Sequence, residues 1–440
     1  MQVAILFDKI NRPSKKAEAR HEFTLNTKVG SKEYKGKLVV DLETLVANTG
    51  DSTSLNFDLF LISCYAYGVD RFIKREIYSF DGWSRKIEVD FPVINVQVWE
   101  SKKAALEKIL SFISGDIWDI SFSPSSLSFD NTYKQAAFLG KIDQVNLLSG
   151  GLDSLIGAID SLEQPKQVLF VSQYDNDFKG PHQEQEKLFN ALKDEYKNAF
   201  HIPSVLVTLQ GSDLSVREST LRTRSLMFIS LGLYFASNIS KDVNLLVPEN
   251  GSISLNFPLN SSRRTACSTR TTHPNLMRLT SELLSELNIT NTIFNDYSFK
   301  TKGEMVNNCR NIVFLKNMIT RTNSCGKRGY NNNWEEPDIR IAHHCGRCMP
   351  CVYRKASLLK IEPTAGYYGN RLSSTINSNK IRSQDLKACK AFLDTPLTDE
   401  EISRELVSNG LVDFENLNKY VDLVKRTRAE VDTLFKHEGI

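Results

Sequence analysis

The sequence predicts an α/β protein built on a doubly wound, mostly parallel sheet, and three observations lead there. From Gln144 onward, short apolar runs alternate with helical patterns. Strands alternating with helices imply parallel pairing with helices on both faces. A glycine pair sits where the first apolar run meets the first helix. Polar segments at Ser149–Ser154, Gln173–Gly180 and Glu249–Asn260 each follow an apolar run. Ligands in such sheets bind beyond the carboxyl ends of the strands, where all three segments fall.

Taken in order, Val145–Leu148 reads as a strand, Ser149–Ser154 as a loop and Leu155–Leu162 as the start of a helix. Gln167–Ser172 is the second strand, followed by a helical run from His182 to Lys197. Ser204–Thr208 is the third strand, Arg222–Ser237 a long apolar helix and Val243–Val247 the fourth strand. Ahead of this unit, residues 1–140 form an N-terminal α+β domain with a partner-facing role. Its strand-like runs are Lys37–Leu42 and Ile87–Phe91, and it carries a helix around Leu59–Arg75. Alternation in Lys86–Phe91 suits a half-buried strand. Serine-rich Ser121–Ser128 reads as connecting loop. The nucleotide-type unit occupies 141–380, and 381–440 form a helical tail, with Thr398 and Glu401 spaced as a capping box.

A chain of 440 residues with 41% hydrophobic residues can bury a sizeable core. Lys+Arg 55 against Asp+Glu 52 leaves a net charge of +3, and no basic stripe points to direct nucleic-acid binding. The apolar run Val3–Phe7 is too short for a signal-peptide core, and no stretch approaches a membrane span. Three of the eight cysteines cluster, which reads as metal chemistry in a reducing compartment, the cytoplasm.

The loop Ser149-Gly150-Gly151-Leu152-Asp153-Ser154 has a mechanical logic. Two glycines allow close backbone approach to a ligand. Successive amides form a nest for a phosphate, and the helix N-terminus adds positive potential. Ser149 and Ser154 can donate to the same oxygens, while Asp153 orients the loop or helps hold magnesium. The Gly-Lys-[Ser/Thr] ending of a Walker loop is missing. Tight-turn capping is the alternative reading.

Cys345-Gly346-Arg347-Cys348-Met349-Pro350-Cys351 places three thiols at three-residue spacing, and Cys325 lies upstream. Four thiolates make a closed tetrahedral zinc site, with Gly326–Ile341 as the pinned loop. Iron–sulfur ligation is the alternative, and His343 or His344 could replace Cys325. Arg222 and Arg224 open an otherwise apolar helix, where the dipole disfavours cations and a bound anion would resolve the conflict.

The loop Ser149–Ser154 resembles the pyrophosphate loop of the N-type ATP pyrophosphatases, enzymes that transfer AMP from ATP and release pyrophosphate. Combined with Cys325, Cys345, Cys348, Cys351 and Arg354, it resembles the 7-cyano-7-deazaguanine synthases, the QueC family, from about Val145 to Lys360. That resemblance implies an adenine nucleotide α-hydrolase-like fold, ATP, magnesium and zinc, and a 7-carboxy-7-deazaguanine-type substrate. It gives Arg222 and Arg224 to ATP phosphates or the base and Lys302 of Lys302-Gly303-Glu304 to charge stabilisation, and Gln183 and Glu186, which share a loop with His182, fall near the nucleotide. Pro248–Leu259, with its Glu249-Asn250-Gly251, and Ser268-Thr269-Arg270-Thr271-Thr272-His273-Pro274 depart from the biosynthetic enzymes. They resemble QueC-like proteins of the Qat anti-phage systems, and the added N-terminal domain, which the biosynthetic enzymes lack at this size, motivates a macromolecular acceptor.

On this reading Glu249 or Asn250 contacts a guanine-like base. Arg270 clamps a carboxylate, and His273 is acid/base or a cap before Pro274. The implied function is adenylation of the carboxylate, then amide formation with an amine, either ammonia or an amine on a partner protein of the same defence system. A free nitrile synthase of nucleoside biosynthesis and a catalytically silent nucleotide-binding assembly subunit remain the alternatives.

Overall fold

A computed structural model describes residues 2–8, 20–29, 32–129, 133–177, 181–211, 217–259, 265–267, 270–326, 344–361, 368–377 and 383–440. Ser268, Thr269, His343 and most of the segment Gly326–Ile341 lie outside them. The protein is α/β, with two sheets.

The strands of the N-terminal residues are β1 (Gln2–Asp8), β2 (His21–Val29), β3 (Lys32–Val40), β4 (Lys86–Val93) and β5 (Ile117–Pro124). Then come β6 (Gln144–Leu147), β7 (Val168–Val171), β8 (Gln173–Tyr174), β9 (Ala199–His201) and β10 (Val205–Gln210). β11 (Asn244–Leu246) and β12 (Ile293–Phe294) complete the set.

The second sheet, β12-β11-β6-β7-β9, is parallel throughout. Its first strand in sequence, β6, lies at the centre, with the next two strands on one side and the last two on the other. Strand order therefore reverses between β6 and β11, the crevice where open α/β sheets bind ligands. Because strand side chains alternate, the two faces can be read from the core. Val145, Leu147, Leu169, Val171 and Leu245 pack with the helices Arg224–Ile239 and Pro274–Glu286. Val168 and Phe170 pack on the other face with the helices Leu152–Leu162 and Pro181–Glu195. Asn146 faces that second side, where Ser161 accepts from its side chain at 2.9 Å.

The N-terminal residues share this architecture. β8 and β10 lie outside the parallel sheet and join a seven-stranded mixed sheet, β5-β4-β1-β2-β3-β10-β8. β10 pairs antiparallel with β3, and one hydrophobic core runs through both parts. Helix Leu55–Phe72 is buried on nearly every side and lies along Arg224–Ile239, where Ser63 and Ser230 hydroxyls meet at 2.6 Å. The serine-rich segment departs from expectation. Ser121–Pro124 belong to β5, whose alternating burial shows that small hydroxyl residues fill outward positions of an edge strand. Helix Arg224–Ile239 starts two residues later than the sequence suggests, because Asp70 holds the backbone amides of Arg222 and Thr223 outside it.

Asp70 belongs to a buried quartet with Arg75, Arg85 and Asp116, in which each arginine contacts both carboxylates. Every member is at most 4% exposed at the side chain. The two arginines hold the Asp70 carboxyl below the usual carboxylate range even though burial opposes this. Replacing Asp70 with Ala strands two guanidinium groups beside one carboxylate. The expected cost is about 3–5 kcal/mol in urea denaturation.

Candidate functional site

Ser149–Ser154 lies directly after β6. Gly150 has φ +86, a conformation that disfavours any other residue and turns the chain back towards the sheet. Gly151 is the N-cap of Leu152–Leu162, and its amide donates to Ser149 Oγ at 3.3 Å. Ser149 and Ser154 hydroxyls lie 3.2 Å apart, so both converge on the loop's concave side. Gln185 Nε2 donates to the Ser149 carbonyl (3.4 Å) and the Gln173 carbonyl (3.0 Å). This buried glutamine was missed in the sequence. Its signal was a polar residue on the same helical face as Leu188 and Leu192. Gln183 and Glu186, by contrast, are exposed, and His182 stacks on Tyr174.

Asp153 gathers three segments. It accepts from the Asn250 amide (3.1 Å), the Asn250 side chain (2.6 Å) and Lys302 Nζ. Lys302 is buried, the first residue of a short helix whose N-cap Thr301 forms a capping box with Glu304. Asn250 is itself an N-cap, its Oδ1 accepting from Ile253. Its side chain is thus committed to Asp153 and to its own helix.

Beside the loop lies a cavity of about 120 Å³ at the ends of β6, β7 and β11. Leu147, Leu148, Val171, Phe228, Ile229 and Val247 give it apolar walls. Ser149, Ser154, Ser172, Ser225, Glu249 and Thr272 supply its polar groups. Glu249 is half-buried, accepts from the Thr272 hydroxyl, and burial pushes its carboxyl up to about 7.

The arginines divide. Arg224 donates to Gln173 at 3.4 Å and lies over Phe228, a cavity wall. Arg222 turns away, donating to the Cys267 carbonyl (2.9 Å) and lying over Trp83. Arg270 donates to the carbonyls of Phe112 (2.7 Å) and Asn409 (2.6 Å), joining the N-terminal region to the tail. Burial lowers it to about 10. His273 Nδ1 accepts from the Asn275 amide as the N-cap of Pro274–Glu286, and burial lowers it to about 3. The imidazole is therefore neutral near pH 7.

Cys325, Cys345, Cys348 and Cys351 come together with all four sulfurs within 4.8 Å of one another. Thiolates held ~2.3 Å from a tetrahedral zinc lie ~3.8 Å apart. Here Cys345–Cys351 is 3.8 Å and Cys348–Cys351 is 3.4 Å. The space fits one ion. Backbone amides of Cys345 and Cys348 donate to the sulfurs of Cys325 (3.3 Å) and Cys345 (3.4 Å), as they would to thiolates. Gly346, at φ +79, makes the turn between them. Cys345 is shifted down by its hydrogen bond from Cys325. Cys348 is shifted up by its thiol neighbours and Cys351 by burial. Four such thiols ionise together only around a cation, so the group could hold a metal ion such as zinc.

No helix among the described residues is long and apolar enough to cross a membrane. Comparison with protein-family models, curated proteins and solved structures gives no match.

Two measurements follow. Glu249 is raised above its ordinary 4.5, so its contribution to stability is present below that value and lost as pH rises through about 7. Glu249→Gln should flatten the ligand-free denaturation midpoint between pH 4.5 and 7; an unchanged slope assigns the pH dependence elsewhere. Elemental analysis should find one metal ion per chain, with Cys351→Ser lowering both that content and the thermal midpoint.

Proposed function

We propose that this chain is a QueC-like, ATP-dependent carbon–nitrogen ligase of the adenine nucleotide α-hydrolase-like fold. It adenylates a 7-carboxy-7-deazaguanine-type carboxylate and passes the acyl group to an amine, in anti-phage defence. One observation carries the reading. The loop Ser149–Ser154 stands at the strand-order reversal, with an apolar cavity on one side and the buried Lys302–Asp153 pair on the other.

In this mechanism ATP's phosphates lie on the loop amides and the hydroxyls of Ser149 and Ser154, with Arg224 at the cavity edge. Magnesium, arriving with the nucleotide, neutralises phosphate charge. The apolar-walled cavity suits a heterocycle, and the Glu249 carboxyl, pushed up to about 7 by burial, can donate or accept at its edge. A substrate carboxylate oxygen attacks the α-phosphorus, and the bond to the bridging oxygen breaks as pyrophosphate leaves. An amine nitrogen then attacks the acyl carbon, its proton passes to solvent, and AMP departs.

The chain need supply no nucleophile, so positioning and charge stabilisation carry the rate. Lys302 is the group placed to offset developing charge, held by Asp153. Arg270, with its terminal nitrogens on carbonyls, would act on a substrate through its field and Nε, since a bidentate clamp would require it to leave those partners. Zinc bound by four thiolates has no open position and would serve the fold.

Incubation with ATP, magnesium and 7-carboxy-7-deazaguanine should release pyrophosphate, and Lys302→Ala should slow this ~10²–10³-fold. No release with ammonia or any supplied amine would sink the adenylation reading. Label retained on a co-expressed protein identifies a protein amine, whereas free nitrile identifies the biosynthetic alternative.

A further inference from the structure

The four-cysteine group and the phosphate loop are joined by a short run of chain. Asn323 lies two residues before Cys325, and its backbone amide donates to the Gly150 carbonyl at 2.9 Å. Its side-chain Oδ1 accepts from the Cys325 amide at 2.8 Å. One residue therefore holds the turn of the loop with its main chain and the first metal-type ligand with its side chain. A β-carbon on Gly151 would lie 3.6 Å from the Asn323 carbonyl oxygen, so the two segments are in van der Waals contact along the turn.

The other end of this run is held as firmly. Arg354 is fully buried on the helix Met349–Leu358, the helix that carries Cys351. It donates to Thr322 Oγ1 (2.7 Å) and to the Ile319 carbonyl (2.9 Å). His344 Nε2 accepts from the Ser324 amide at 3.3 Å. Residues 319–325 are thus gripped at three places by His344 and Arg354, which flank the Cys345–Cys351 segment, and Asn323 lies on Gly150. No other residue in this run reaches the loop by a backbone hydrogen bond among those described.

We propose that Asn323 is a positioning residue through which the four-cysteine metal group sets the conformation of the loop Ser149–Ser154. A metal ion at the thiols fixes Cys325. Cys325 fixes the Asn323 side chain, and Asn323 fixes the Gly150 carbonyl, which sets the plane of the peptide whose Gly151 amide donates to Ser149 Oγ on the loop. The metal thereby acts on anion binding without touching the anion. The link stands on geometry independent of the reaction; only its consequence for ATP rests on the function proposed above.

The test is amide hydrogen exchange on the full chain, followed at peptides covering 149–154 and 345–351, with metal content measured on each sample. Asn323→Pro removes the donor to Gly150. Exchange at 149–154 should rise roughly five-fold, the size of one neutral hydrogen bond, with metal retained. Asn323→Ala, which keeps the amide but drops the side-chain acceptor, should give a smaller rise, and Asn323→Asp should restore protection.

Metal removal with EDTA should raise exchange in both segments of the wild-type protein. Unchanged exchange at 149–154, in metal-bearing Asn323→Pro or in stripped protein whose 345–351 segment has loosened, overturns the proposal. Should Asn323→Pro fail to fold, the Ala/Asp pair and the EDTA arm decide. Binding of an ATP analogue with a non-cleavable α–β bridge is read separately. Coupled exchange without any nucleotide binding would keep this link and reject the function.

Discussion

The Asp153 carboxylate is the junction on which the site depends. It sits in the first turn of the helix after β6, and it accepts from Asn250 after β11 and from Lys302 after β12. Three segments that leave the same end of the parallel sheet are thereby fixed to one another. A buried lysine is costly unless paired, and a carboxylate beside a helix N-terminus is favoured there. The pairing satisfies both groups and leaves the Gly151 amide to donate to Ser149 Oγ within the loop. Losing that carboxylate would strand Lys302 and uncap the link to Asn250 at once.

Elements far apart in sequence hold this junction in place. Asp70, within its quartet of alternating charges, secures the start of the helix Arg224–Ile239 that forms one cavity wall. From the other side the last helix, Leu417–His437, reaches the site. Glu430 accepts from the Gly303 amide at 2.9 Å, and Thr427 meets Ser252 at 2.6 Å. Arg426 pairs with Glu304, the capping-box partner of Thr301. The tail, which shows no chemistry in its sequence, thus braces both the Lys302 helix and the helix begun by Asn250. The N-terminal sheet takes in β8 and β10, so the parts of the chain before and after residue 140 share a sheet as well as a core.

Much of the fold was legible because local physics agreed with the tertiary result. Apolar runs of strand length alternating with helical periodicity place β6, β7, β10 and β11 within a few residues of their observed positions. Thr398 and Glu401 form the capping box their spacing suggests. The cysteines also converge, since ligands three residues apart on a turn and helix start need one more thiol from a nearby loop. Where the sequence misled, a residue's partner was remote. Ser121–Pro124 resembles a loop by composition, yet pairing with Asp90–Val93 makes it an edge strand. Arg270 carries functional chemistry on paper, but the carbonyls of the distant Phe112 and Asn409 engage it. Asn250 is held by Asp153 and its own helix, and His273 takes the capping role, one of its two readings.

The sequence by itself determined the α/β class, the strand–loop–helix setting of Ser149–Ser154, and the four-thiol set. Each of these is written in spacing and residue type within a short window. Tertiary structure decided which polar groups meet. It buried Lys302 against Asp153, enclosed Glu249, placed Gln185 and Asn323 against the loop, and merged the N-terminal strands into a common sheet. Those outcomes depend on strand order and on pairings well beyond a local window, from Gln185 and Ser149 at a separation of 36 to Asp153 and Lys302 at 149. Hydrogen bonding and desolvation act on whatever the fold brings within about 3 Å, and that proximity is a property of the folded chain alone.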